Sequence, residues 1–151
     1  MTEYLEHQPN CMACGRDNPA GIGLRLRVDG DRIRGEVTLD RRQEGAPGFV
    51  HGGAIATVLD DALGSLLLLL QRPAVTAKLE VNYRRPAFID RTYEVEAWTE
   101  RIEGRKLHLA GEVRHEGELV ADAKALFVQV EIGHFLQGSD EIPDAWRRLP
   151  R

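Results

Sequence analysis

The chain has 151 residues, of which 42% are hydrophobic and 29% charged, a balance that suits one soluble globular domain and excludes a disordered chain. Its net charge of −4 excludes the basic field that displaces phosphate counterions, so no nucleic-acid partner is expected; a local pair such as Arg84-Arg85 could still hold the phosphates of a small ligand. Met1 to Asn10 is polar and lacks the apolar core of a secretory signal. The longest apolar run, Leu66 to Leu70, is too short to span a bilayer. A cytoplasmic protein without a membrane partner is therefore expected.

Residues 1–21 form a polar lead-in with Pro9, Asn10, Gly15, Asn18 and Pro19, which predicts irregular backbone. It carries the only two cysteines, Cys11 and Cys14, too few for a disulfide scaffold. Their spacing is that of a metal knuckle, but zinc wants four ligands. One chain supplies two sulfurs, with His7 nearby, and two chains would supply four. A structural turn with buried thiols is the expectation, with no metal and no cofactor.

Alternation of apolar and polar residues predicts strands at Ile22 to Val28 and Ile33 to Leu39, joined at Gly30-Asp31 as a hairpin. Arg41 to Val50, with Gly45, Pro47 and Gly48, reads as a loop. From Gly52 to Gln71 the pattern becomes that of a long helix, apolar nearly all round and so buried on most of its surface. Gly64 in its middle suggests close approach by a neighbouring element. Four strand candidates follow: Val75 to Tyr83, Thr92 to Ile102, Lys106 to His115 and Leu119 to Ile132. In the first, alternation puts Val75, Ala77, Leu79, Val81 and Tyr83 on one face and Thr76, Lys78, Glu80 and Asn82 on the other. The tail, residues 133–151, is polar, with Ile142, Trp146 and Leu149 as docking points.

Two strands, one long helix and four strands joined by short connections predict an α+β domain, an antiparallel sheet wrapped around one helix. Such a sheet has edges that need covering, and dimerisation through an edge strand would cover one.

The most informative stretch is Gly48-Phe49-Val50-His51-Gly52-Gly53-Ala54-Ile55-Ala56-Thr57-Val58-Leu59-Asp60. A histidine and two glycines lead straight into the helix. The first N–H groups of a helix lack internal partners and sit at the positive end of its dipole, and glycine there admits another molecule. That is a site for an anion or a developing oxyanion. Asp60 lies among apolar neighbours, where a carboxylate is costly unless paired or used. Asp61 is either the solvated one of the pair or a cap on a neighbouring loop.

This stretch, with the lead-in Cys11-Met12-Ala13-Cys14-Gly15, Asn18-Pro19 and Gly21-Ile22-Gly23-Leu24, resembles the PaaI-type hotdog acyl-CoA thioesterases. That family includes the 4-hydroxybenzoyl-CoA thioesterase of the Arthrobacter type. The likeness covers roughly Cys11 to Ile132. It implies a single hotdog domain, residues 1–151, that hydrolyses acyl-CoA thioesters. The Gly52 N–H would polarise the thioester carbonyl, Asp60 would be general base or nucleophile, Thr76 would help place the attacking water, and His51 would hold the loop geometry. Gly53, Arg84 and Arg85 are the candidate substrate-binding residues. In the family the glycine and the acid come from opposite subunits, which implies a homodimer or a dimer of dimers. One departure stands out. Many relatives carry Asn or Gln six residues before the histidine, and here that position is Gly45; Gln43 or Glu44 would substitute only if the loop were re-routed. The alternatives are a hotdog protein that binds acyl-CoA without turnover, and a hydratase or dehydratase, for which the Asp-to-His spacing near the helix is lacking. A cysteine nucleophile is not expected in a turn-rich lead-in without a His-and-acid pattern.

Overall fold

The computed structural model describes residues 4–6 and 8–147, without the side chains of Asp144 and Ala145. Six strands, β1 (Arg25–Asp29), β2 (Arg32–Leu39), β3 (Ala74–Tyr83), β4 (Arg91–Glu103), β5 (Lys106–His115) and β6 (Glu118–Gln129), surround one long helix, α1 (Gly52–Leu70). The expected α+β hotdog architecture is the one observed. All strand pairs are antiparallel, in the order β1-β2-β4-β5-β6-β3. Short turns set most of this order. Between β5 and β6, Glu116 and Gly117 both take left-handed backbone, with φ of 48° and 82°, the conformation a tight hairpin demands. β3 is the exception: it follows α1 and docks at the far edge, against β6.

α1 buries one stripe: Ile55, Val58, Leu59, Ala62, Leu63, Leu66 and Leu67. The spacing repeats every three to four residues, the signature of one helix face on a core. The stripe shares a single core with Val37, Val95, Ala97, Leu107, Leu109, Val113 and Phe127 from the sheet. The other flank, including Ala56, Asp60, Gly64 and Leu68, is only half-buried. The burial of most of its surface expected of the helix is thus not reached within one chain. Gly64 does not mark the close approach either: a methyl there would make only an ordinary 3.8 Å contact with Phe127. The tight position is Gly111 on β5, where a methyl would lie 3.1 Å from the Glu96 carbonyl and 3.5 and 3.6 Å from Leu59 and Leu63. The small residue sits under the helix, not in it.

Two boundaries differ from expectation. Ile22 and Leu24 lie outside β1 because their N–H groups go to the lead-in, donating to the Met12 and Ala13 carbonyls (both 3.0 Å). At the other end β6 stops at Gln129, and Ile132–Gln137 forms a 3-10 turn. In the tail, Trp146 of the short α2 (Asp144–Arg147) is buried and stacks on Phe135, with ring centroids 6.4 Å apart; Ile142 is half-buried. The remaining docking candidate, Leu149, lies outside the described residues.

Leu63 has no exposed surface and sits over Gly111. Leu63→Ala should destabilise the fold by about 2–5 kcal/mol, the range for deleting a buried leucine side chain. Urea unfolding should show a lower midpoint with an unchanged slope; a loss under 1 kcal/mol would mean the helix-to-sheet packing is misassigned.

Candidate active site

The loop before α1 is held by its own hydrogen bonds. Asp40 opens a 3-10 turn at Arg41–Gln43 with a reciprocal cap: its carboxylate accepts from the Arg42 N–H (2.9 Å), and the Gln43 side-chain oxygen accepts from the Asp40 N–H (2.9 Å). The Glu44 carboxylate accepts from the Gly48 N–H at 2.8 Å. Gly45 donates to the Phe49 carbonyl at 2.9 Å, and His51 to the Gln43 carbonyl at 2.7 Å. Neither Gln43 nor Glu44 is therefore re-routed to replace the amide missing at Gly45. A methyl on Gly45 would lie 3.1 Å from the His51 Cα, so this glycine packs flat against the histidine.

His51 is the N-cap of α1, with extended backbone (φ −61°, ψ 134°), and its Nδ1 accepts from the Gly53 N–H at 2.8 Å. A ring nitrogen that accepts carries no proton, so the ring proton of the neutral imidazole sits on Nε2. The cap consumes the Gly53 N–H, which removes Gly53 as a direct donor to a ligand. The Ala54 N–H turns to the His51 carbonyl at 2.9 Å. The Gly52 N–H donates to no acceptor among the described residues, and Gly52 is exposed. Its carbonyl accepts from the Tyr83 hydroxyl at 2.7 Å. That contact was not foreseen: Tyr83 was read only as a strand residue, and nothing in the strand pattern points from it to Gly52.

Asp60 and Thr76 meet directly. The Thr76 hydroxyl donates to Asp60 Oδ1 at 2.9 Å. Simple alternation cannot bring this about, because it places Thr76 opposite Leu79 and Val81. A bulge at Ala77 resolves it: Thr76 pairs with Phe127 and Lys78 with Leu126, leaving Ala77 without a partner. The extra residue shifts the alternation by one. Thr76 thereby joins Leu79, Val81 and Tyr83 on the face toward α1, and the sequence-based face assignment of Thr76 is corrected.

Arg84 and Arg85 flank a cavity of about 330 Å³, also lined by Phe49, Val50, Gly52, Ile55 and Tyr83. Arg84 is committed to Asp122, with Nε–Oδ2 at 2.7 Å. The Arg84 guanidinium, with the Asn82 amide, holds the Asp122 carboxyl below the ordinary carboxylate range, and Asp122 in turn raises Arg84. Arg85 is looser, 3.7 Å from Glu118 and 56% exposed, which makes it the freer cation. A larger cavity, about 1020 Å³, lies at the other end of α1 around Gln71, Pro73 and Arg105. It contains none of Gly52, Asp60 or Thr76, so we place the chemistry elsewhere.

These features sit inside a recognised module: a family model described as the thioesterase superfamily matches residues 47–121. The chain belongs to the thioesterase superfamily. The match runs from the loop before His51 through α1 and β3 into β6. The acyl-coenzyme A thioesterase THEM4 of Mus musculus is 37% identical over 90 residues, which is 58% of this chain and 39% of the mouse protein. The chain spans about two fifths of the length of the curated relatives it matches. A crystallised thioesterase superfamily protein superposes with a TM-score of 0.72 at 32% identity, covering 76% of this chain and 60% of that one. A phenylacetic acid degradation-related protein from Ralstonia eutropha JMP134 gives a TM-score of 0.66 at 25% identity, covering 72% and 86%.

Within this superfamily member, Asp61 is neither solvated nor spare. It is half-buried, and its Oδ1 accepts from Cys11 Sγ at 3.4 Å. The sequence reading had it capping a neighbouring loop as one alternative, and the lead-in is that loop. Cys11 and Cys14 are both buried; His7 lies outside the described residues.

The His51 cap can be tested by itself. His51→Ala removes the acceptor for the Gly53 N–H and should cost about 0.5–2 kcal/mol, whereas His51→Asn keeps a capping oxygen and should recover most of that. Equal stability of the two variants in chemical denaturation would show that the cap contributes nothing.

Proposed function

We propose that this protein hydrolyses acyl-CoA thioesters at a site shared between two chains. The observation that carries the reading is the Asp60 carboxylate held by the Thr76 hydroxyl at 2.9 Å, on the same helix as the uncommitted Gly52 N–H. Asp60 is the base: one oxygen is fixed by Thr76 and the other is left to take a proton from water. That water attacks the thioester carbon while the Gly52 N–H, at the positive end of α1, holds the oxygen as it becomes an oxyanion. Collapse of the tetrahedral intermediate breaks the carbon–sulfur bond, and the leaving CoA thiolate takes the proton from Asp60. The acyl-CoA substrate is supported by the mouse relative's name and by the cavity beside Gly52, where Arg85 is the freer group for a phosphate.

The two-chain site follows from helix geometry. Eight residues at about 1.5 Å each set Gly52 and Asp60 of one chain roughly 12 Å apart, too far to act on one carbonyl. β3 supplies a solution. It is an edge strand, tied to the Gly52 end of the helix through Tyr83 and to Asp60 through Thr76. Pairing β3 antiparallel with its copy, centred between Leu79 and Glu80, lays Thr76 of one chain opposite Tyr83 of the other. The partner's Gly52 is then brought toward this chain's Asp60, and the half-buried apolar flank of α1 is covered.

A second reading, a hotdog protein that binds acyl-CoA without turnover, is favoured by Gly45: with Gln43 and Glu44 spent in the loop, no side-chain amide there is left to position water. A hydrolysis screen over short, long and aromatic acyl-CoAs separates the two, since binding without release of free thiol from any of them selects the second reading.

Asp60→Asn should lower kcat by about 10²–10⁴-fold, the usual share of general acid–base catalysis. Gly52→Pro is the complementary change. Proline suits the first helical position and removes the N–H, its Cβ would make contacts of 3.4–3.6 Å with Tyr83, and the extended backbone of His51 accepts a following proline. It should cost about 10²–10³-fold. Mixing the two dead variants and allowing subunits to exchange should restore activity, because half of the sites in a mixed dimer combine intact Gly52 with intact Asp60. No recovery in mixtures shown by native mass spectrometry to contain heterodimers would sink the shared site.

A further inference from the structure

We propose that Cys11, Cys14 and Asp61 form a zinc site that clips the lead-in to α1 beside Asp60. The proposal does not depend on the reaction assigned above. The sequence argued against a metal because one chain offers only two sulfurs. The fold supplies a third donor from fifty residues away: the two thiol sulfurs and an Asp61 carboxylate oxygen all lie within 4.8 Å of one another.

The separation fits a shared cation. Zinc–sulfur and zinc–oxygen bonds of about 2.3 and 2.0 Å at a tetrahedral angle put the two donor atoms about 3.5 Å apart; Cys11 Sγ and Asp61 Oδ1 are 3.4 Å apart. The lead-in is also shaped as a knuckle. The Ala13 N–H points at Cys11 Sγ at 3.4 Å, and the Gly15 N–H closes the turn onto the Cys11 carbonyl at 3.0 Å. Any side chain at position 15 would collide with the backbone of Pro9 and Cys11, so the turn that brings the sulfurs together requires glycine. An N–H aimed at a sulfur favours its thiolate form, the form that binds metal.

The donor chemistry selects the ion. Two soft thiolates with one carboxylate suit zinc rather than magnesium or calcium, which take all-oxygen shells. Both cysteines are buried and Asp61 is half-buried beside them, and a divalent cation there would turn all three acidic groups into ligands. Three protein donors leave one tetrahedral position for water or one further donor. Because Asp61 follows Asp60 on α1, the clip would fix the lead-in against the helix next to the proposed base.

The test uses the full chain, purified under reducing conditions. Metal analysis should find about one zinc per chain, falling to background in Cys11→Ser and in Cys14→Ser. Metal-free wild-type protein titrated with cobalt(II) should develop a thiolate-to-cobalt charge-transfer band saturating at one equivalent, and each single-cysteine variant should fail to saturate at one equivalent. Asp61→Asn, which keeps both sulfurs, should bind zinc at least about tenfold more weakly in competition with a chelating dye. Failure of metal-free, reduced wild-type protein to take up either metal overturns the proposal. So does uptake by Cys11→Ser/Cys14→Ser equal to wild type.

Discussion

The rise of an α-helix is the constraint on which this molecule turns. α1 is the only long helix among the described residues, and its buried stripe from Ile55 to Leu67 fixes it rigidly on the sheet. Once fixed, it holds its N-terminus and Asp60 roughly 12 Å apart, and no side-chain motion closes that gap. The same packing decides which flank is left over. Asp60 sits on the half-buried side, so the acid remains accessible because the sheet takes the other stripe. The fold therefore presents the separation of Gly52 from Asp60 and an uncovered edge strand together, and the symmetric pairing proposed above would answer both.

β3 carries most of the consequences of that arrangement. An edge strand with regular alternation would send Thr76 away from the helix. The bulge at Ala77 turns it inward and leaves the rest of the strand in register with β6 down to Tyr83. Bulges sit well at sheet edges because only one neighbouring ladder is disturbed. In this chain the disturbance falls where the Asp60 hydrogen bond is made, so a local irregularity in pairing sets the orientation of the Thr76 side chain. At the other end of the strand Tyr83 fastens the Gly52 carbonyl, which steadies the first turn of α1 without touching its N–H.

Much of this was legible in the sequence. Alternation located the strands to within a few residues, and the His51-Gly52-Gly53 run marked the start of α1. Those features are local, and periodicity or capping chemistry reads them directly; the role of Asp60 came from the family resemblance alone. What stayed hidden depends on contacts between distant segments. The bulge is invisible because Thr76-Ala77-Lys78 fits an unbroken strand equally well. The close approach was assigned to Gly64 and lies at Gly111, because helix propensity flags a glycine inside a helix but says nothing of one beneath it. Asp61 could not be placed because its partner, Cys11, is set by how the lead-in folds back.

The choice of cap at the start of α1 links the loop to the proposed chemistry. Aspartate or asparagine would cap the Gly53 N–H as well as histidine does. An aspartate, however, would bring a full negative charge within one residue of the Gly52 N–H, where the proposed oxyanion develops. Like charges a few ångströms apart in a partly desolvated site repel by several kcal/mol at an effective dielectric of about 20. A neutral imidazole accepting through Nδ1 satisfies the same N–H without that charge. It is also bulky enough to need a flat neighbour, and Gly45 supplies one: any side chain there would press its Cβ to 3.1 Å from the His51 Cα. The glycine that departs from the family's Asn or Gln thus becomes a packing surface for the cap. In this loop the helix start is secured by His51 on Gly45, and in the proposed shared site any positioning of water would fall to Thr76 and Asp60 of the other chain.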